Sequence, residues 1–100
     1  MIVFTQLVYL KPGKEEIFDQ FEEVAIPVIR KYGGTLLLRA RPSAAAYLEA
    51  AIETPYEIHL VEFESDLDFQ SFLKDETRKK FLHLKEDSIR TSILIKGVKV

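Results

Sequence analysis

Two arginines stand two residues apart in "TLLLRAR", at Arg39 and Arg41. A guanidinium is the side chain best shaped to grip a carboxylate through paired hydrogen bonds. Residues two apart on a strand share a face, so Arg39 and Arg41 are expected beside Thr35 and Leu37. Two chemistries follow from that placement. One is an anion site facing a pocket. The other is an edge strand whose arginines pair with Glu62, Glu64 or a second chain, since edge strands commonly carry charge that discourages aggregation. Pairing is the simpler reading.

The segment "YEIHLVEFE", residues 56–64, holds the other candidates. Glu62 shares its face with Ile58 and Leu60. If buried, its carboxyl rises in pKa unless a cation compensates, which is how a general base is made. An Arg39–Glu62 ion pair would explain both residues without catalysis. His59 falls on the opposite face, with Val61 and Phe63. It is a candidate acid or base, or a buried histidine bonded to a neighbour. Tyr9, Tyr47 and Tyr56 carry hydroxyls that could meet a ligand, and each is more simply an aromatic at the edge of the core. His83 reads as solvent-facing, and two histidines without ligand spacing make no metal site. "TRKK" at 77–80 reads as a solvated helix face. The pair Gly33–Gly34 has no glycine-rich phosphate loop around it, so nucleotide binding has no support.

Composition narrows the classes. The chain has 100 residues, 47% apolar and 30% charged, the balance of one globular domain spanning 1–100. Net charge is −2 and no face is obviously basic, which argues against nucleic acid. Cysteine is absent, removing thiolate chemistry and disulfides and fitting a reducing compartment. No apolar run approaches the ~20 residues that span a bilayer, and no signal-peptide pattern opens the chain. The expected setting is soluble and cytoplasmic, without a membrane partner.

These side chains need elements to position them. "IVFTQLVYL" at 2–10 is β-branched and aromatic, and it stops at "KPG", so it reads as a strand and a turn. From Lys14 the apolar positions recur at three and four, through Ile17, Phe18, Phe21, Val24, Ala25, Val28 and Ile29. Asp19, Glu22 and Glu23 are assigned to the other side. Acidic residues open this helix, Arg30 and Lys31 close it, and Gly33 caps it. Pro27 lies inside and predicts a kink near 23–27. Strands are expected at 35–41, 56–64 and 92–100, and Ser65 or Asp66 caps a helix carrying Leu67, Phe69, Phe72 and Leu73. Further helix is expected over 76–89, and a helical turn or two within 43–55.

The order β-α-β-β-α-β is the ferredoxin-like pattern: an α+β fold with a four-stranded antiparallel sheet and helices on one face. Strand one is largely apolar on both faces, and strand three is half apolar on each. The helices cover only one side, so the pattern predicts a homodimer through the other.

The chain resembles the dimeric α+β-barrel superfamily, and within it a small domain family of unknown function. "KYGG" at 31–34, Arg39 six residues beyond Gly33, "LE" at 48–49, "EFES" at 62–65 and Gly97 carry the resemblance. It departs where the family has glycines after the arginine, here Ala40 and Arg41, and where it has Leu-Glu-Gly, here "LEA". The family's Ser-Pro-x-Tyr is here "KDETR" at 74–78. The resemblance implies two sheets packed across a dimer and carries over Arg39, Glu49 and Glu62 as site positions. It implies no settled activity.

Three functions from different classes are consistent with these residues. One is a dimeric module binding a small organic anion at Arg39, Arg41, Glu49, Tyr9 and Tyr47. Another is a cofactor-independent enzyme resembling the superfamily's monooxygenases and isomerases, with Glu62 or His59 as base and Arg39 holding an enolate or carboxylate. The third is a structural or regulatory dimer. No cofactor is expected.

Overall fold

The structure is a computed structural model describing all 100 residues. It runs β1 (Ile2–Leu10), α1 (Glu15–Lys31), β2 (Thr35–Ala40), a single 3-10 turn (Ala44–Ala46) and β3 (Glu57–Phe63). Three short helices follow, α2 (Asp66–Leu73), α3 (Glu76–Lys80) and α4 (Leu82–Ser88), before β4 (Ile89–Val98). The strands form one antiparallel sheet in the order β2-β3-β1-β4. This is the predicted ferredoxin-like α+β architecture.

Local chemistry sets the boundaries. Helix α1 runs unbroken through Pro27. It ends where the Gly33 amide donates to Arg30 O and the Gly34 amide to Ile29 O, with Gly33 at φ +74°. That paired closure is the Schellman motif, and the left-handed residue in it favours glycine. Gly34 answers a different need, because a Cβ there would lie 2.6 Å from Ile29 and from Phe63. Ser65 caps α2 by accepting from the Asp68 amide, and Asp75 caps α3 by accepting from the Arg78 amide. The helix expected over 76–89 is thus two pieces meeting at Phe81, and β4 begins at Ile89, ahead of the expected start. Between Pro42 and Pro55 only three residues are helical.

The two faces of the sheet differ. Ile2, Phe4, Gln6 and Val8 of β1 stand opposite Phe63, Val61, His59 and Glu57 of β3 and face the helices. The core there is aromatic, with Phe4 stacked on Phe69 at 4.0 Å between centroids and Phe63 within 5.6 Å of both Phe69 and Phe72. The other face carries Val3, Leu7, Leu38, Ile58, Leu60, Ile93 and Ile95, and no helix lies on it. Leu38, Ile93 and Ile95 are exposed on it. Its far end is crossed by the segment 43–55, held where Tyr9 donates to Glu53 O and Tyr47 to Pro55 O.

Strand β2 departs from the expected alternation. Leu36 pairs with Val61 and Leu38 with Leu60, so Leu37 is an extra residue and the register shifts across it. This is a β-bulge, and one extra residue exchanges the faces of everything beyond it. Thr35 stands opposite Glu62 on the open face, whereas Arg39 stands opposite His59 on the helix face. The shared face expected for Thr35, Leu37, Arg39 and Arg41 is therefore broken. Leu37 and Leu38 are 48% and 46% exposed.

No helix is long and apolar enough to cross a membrane.

Candidate functional site

Across the bulge, both arginines turn toward a fully buried carboxylate, Glu57. Arg39 Nε donates to it at 2.9 Å and Arg41 Nε at 2.5 Å, and His59 Nε2 binds the same carboxylate from two residues along β3. Asp19 of α1 joins from outside, bonded to Arg41 and 3.7 Å from Arg39. Two guanidinium groups thus meet two carboxylates, and the cluster balances. Burial alone would push the Glu57 carboxyl up. The hydrogen bonds from His59, Arg39 and Arg41 outweigh it and hold the group down at about 2. An ionised carboxylate accepts, so His59 carries its proton on Nε2 and the ring is fixed in orientation.

His59 also lines a cavity of about 90 Å³ between the sheet and the helices. Its walls are mainly apolar, from Phe4, Phe21, Phe63, Phe69 and Phe72 among others, and Leu94, 51% exposed, lines it where it reaches the surface. Four further polar side chains border it: Gln6, Glu22, Arg78 and Lys85. Mainly apolar cavities with a few convergent polar groups are the usual form of a ligand site, and this one is smaller than the ~300 Å³ at which most begin.

Two of those groups are unusual. Arg78 is 93% buried, its relative exposure being 7%, yet its Nε has no hydrogen-bond partner. Its guanidinium lies 5.1 Å from the Phe72 ring and 5.9 Å from the Phe21 ring, and donates once, to Leu73 O at 3.3 Å. Burial pushes its pKa down, as it does for Lys85. Glu22, 8% exposed, is raised chiefly by burial and also by the Glu57 charge, against lowering by His59, Arg39 and Arg78. No group of three or more histidine or carboxylate side chains is arranged to hold a metal ion.

The residues singled out in the sequence divide into three places. Arg39, Arg41 and His59 come together on the helix face. Glu62 lies on the open face, where Lys99 Nζ approaches it at 3.3 Å, and the expected Arg39–Glu62 pair does not form. Tyr9, Tyr47 and Glu49 lie at the segment 43–55, with both hydroxyls bonded to backbone carbonyls and Glu49 exposed. His83 is exposed, as expected, and so are Lys79 and Lys80.

Three residues of the site differ from what the sequence leads one to expect. Glu22, expected on the wet side of α1, follows Phe18 by four and precedes Ala25 by three, which puts it on the buried stripe. Glu57 precedes His59 by two on one strand, and that alternation signalled a shared face. Arg78, expected on a solvated face, is buried instead. A short helix carrying four charges in five residues offers no periodicity to reveal it.

No protein-family model and no curated protein matches the sequence, so the pattern from "KYGG" to "EFES" has no family model behind it. Solved structures match the fold. A protein of unknown function from Rhodopseudomonas palustris aligns with a TM-score of 0.83 at 17% identity, over 99% of this chain and 82% of that one. An uncharacterised NIPSNAP domain protein from Burkholderia xenovorans gives 0.73 at 10%, over 100% and 95%. A putative antibiotic biosynthesis monooxygenase from Nitrosomonas europaea gives 0.72 at 13%, over 100% and 99%. At these identities the likeness is one of fold.

Proposed function

We propose that this protein is a homodimeric module that binds a small organic anion in the cavity between sheet and helices, with Arg78 as the anion-holding residue. The observation that carries the reading is the unpaired Nε of a buried guanidinium at the wall of a mainly apolar cavity. A buried donor left without a partner is costly, and a ligand carboxylate or enolate supplies an acceptor for the free Nε. Arg39 and Arg41, the arginines the sequence pointed to, already have carboxylate partners in Glu57 and Asp19. The cavity holds roughly three water volumes, which suits a short-chain acid better than a polycyclic one.

Dimerisation through the open face is the second part of the proposal. Its support is the continuous apolar surface on that side, together with Leu48 and Ile52, 97% and 62% exposed, in the segment that crosses its end.

Ligand-observed NMR with short-chain carboxylates tests the binding. The wild type is expected to bind a member of the set, and Arg78→Met to lose binding at least about tenfold, with its fold checked by circular dichroism because removing the cation leaves Glu22 and Asp75 less compensated. Equal binding by both proteins would remove Arg78 from the role.

A further inference from the structure

Among the buried carboxylates of this chain, one has no hydrogen-bond partner. Glu57 is met by Arg39, Arg41 and His59. Asp75 is met by the Arg78 amide, Tyr32 and Lys31, and Glu62 by Lys99. Glu22 is acted on only by burial and by charges at a distance. It lines the same cavity as Arg78, across from the sheet residues Gln6 and His59. An acid left unbonded at the wall of a cavity that a guanidinium with a free donor also lines is available to a substrate.

We infer that the cavity is a proton-transfer site, in which the Glu22 carboxylate removes a proton from the carbon beside a carbonyl while Arg78 holds the oxygen that becomes the enolate. This rests on the ligand reading above. The electrons balance within the substrate and Glu22 alone. The C–H pair becomes the C=C bond of the enolate, the carbonyl π pair moves to oxygen, and the proton resides on Glu22. Collapse reverses the flow and returns the proton, to the same carbon or to one conjugated with it. The reaction class is enolisation or allylic isomerisation of short oxo acids, and no oxidant or cofactor enters it.

The surroundings suit a base that must change charge. From the sheet, His59 and Glu57 of β3 and Arg39 of β2 act on Glu22; from the helical side, Arg78 of α3 and Lys85 of α4 do. The low-polarity walls keep water from competing for the proton and strengthen the Arg78–enolate contact. His59, anchored through Nε2 to Glu57, is a positioning residue that keeps one wall rigid.

Proton NMR of short-chain 2-oxo and 3-oxo carboxylates in D2O tests the step, with the full chain added and binding followed in the same samples. The wild type is expected to exchange the protons beside the carbonyl faster than buffer. Glu22→Gln should lose that rate by about 10²-fold or more while binding persists, and Glu22→Asp should retain a measurable part of it. Binding by the wild type without exchange would overturn proton transfer and leave the ligand reading standing. Exchange undiminished in Glu22→Gln would also overturn it. Binding by none of the acids would overturn the ligand reading, and the proton transfer with it.

Discussion

Glu22 and Glu57 are both buried, yet they answer to pH in opposite senses. The Glu57 carboxyl lies at about 2, below its unperturbed 4.5, because its donors overcome its burial. A depressed pKa adds stability that is complete above about 4.5 and is lost as pH falls toward 2. Glu57→Gln should therefore cost roughly 2–3 kcal/mol at neutral pH, less than a wholly buried pair because both arginines reach solvent. It should also flatten the fall in Tm between pH 4.5 and 2, which thermal scans across that range would measure. Glu22 is raised instead, so its favourable contribution is complete below pH 4.5 and is lost as pH climbs through its folded value. Glu22→Gln should then melt a few degrees above the wild type at pH 7, with the gap closing below pH 4.5. A lower Tm at pH 7 would mean that its attraction to Arg78 and His59 outweighs its desolvation.

Among the elements, β2 decides where charge goes. Its bulge at Leu37 places Arg39 and Arg41 against Glu57. Deleting Leu37 should remove the bulge while Leu38, Arg39 and Ala40 keep Leu60, His59 and Ile58 as partners, so both arginines stay against Glu57 and the wild-type acid profile is retained. An acid profile like that of Glu57→Gln would show that the shortened strand pairs with β3 in another register. The same element marks how far the sequence could be read. Strand and helix identities were legible from β-branched runs, threefold and fourfold spacing, and the glycine closing α1. The bulge was not, because three consecutive leucines look alike in either register and only the pairing with β3 selects one. The break between α3 and α4 at Phe81 was hidden for a related reason, because the five residues of α3 carry four charges and show no apolar period that could end there.

For the whole molecule, the apolar open face is the strongest sequence-level signal that bears on assembly. It was read from alternation in β1 and β3, and the sheet places Leu38, Ile93 and Ile95 alongside. Sedimentation should give a mass twice the 11.5 kDa of the chain, and Ile95→Asp, which sets a charge amid that face, should reduce it to one. A wild-type monomer would sink the dimer. The candidate site was only half legible at this scale. His59 was visible, whereas the cavity needs α1, α3 and the sheet together, and no local pattern joins Glu22 to Arg78 across more than fifty positions. One further consequence belongs to β3. Its odd positions from Glu57 to Phe63 bind the ion cluster and line the cavity or core, while Ile58 and Leu60 form the opposite apolar surface. An ordinary surface strand tolerates replacement at every second residue. This one should not. A saturation library selected for soluble, assembled protein should show an unbroken run of intolerance from Glu57 to Phe63, and the strand would behave in evolution as a single word whose letters change together or not at all.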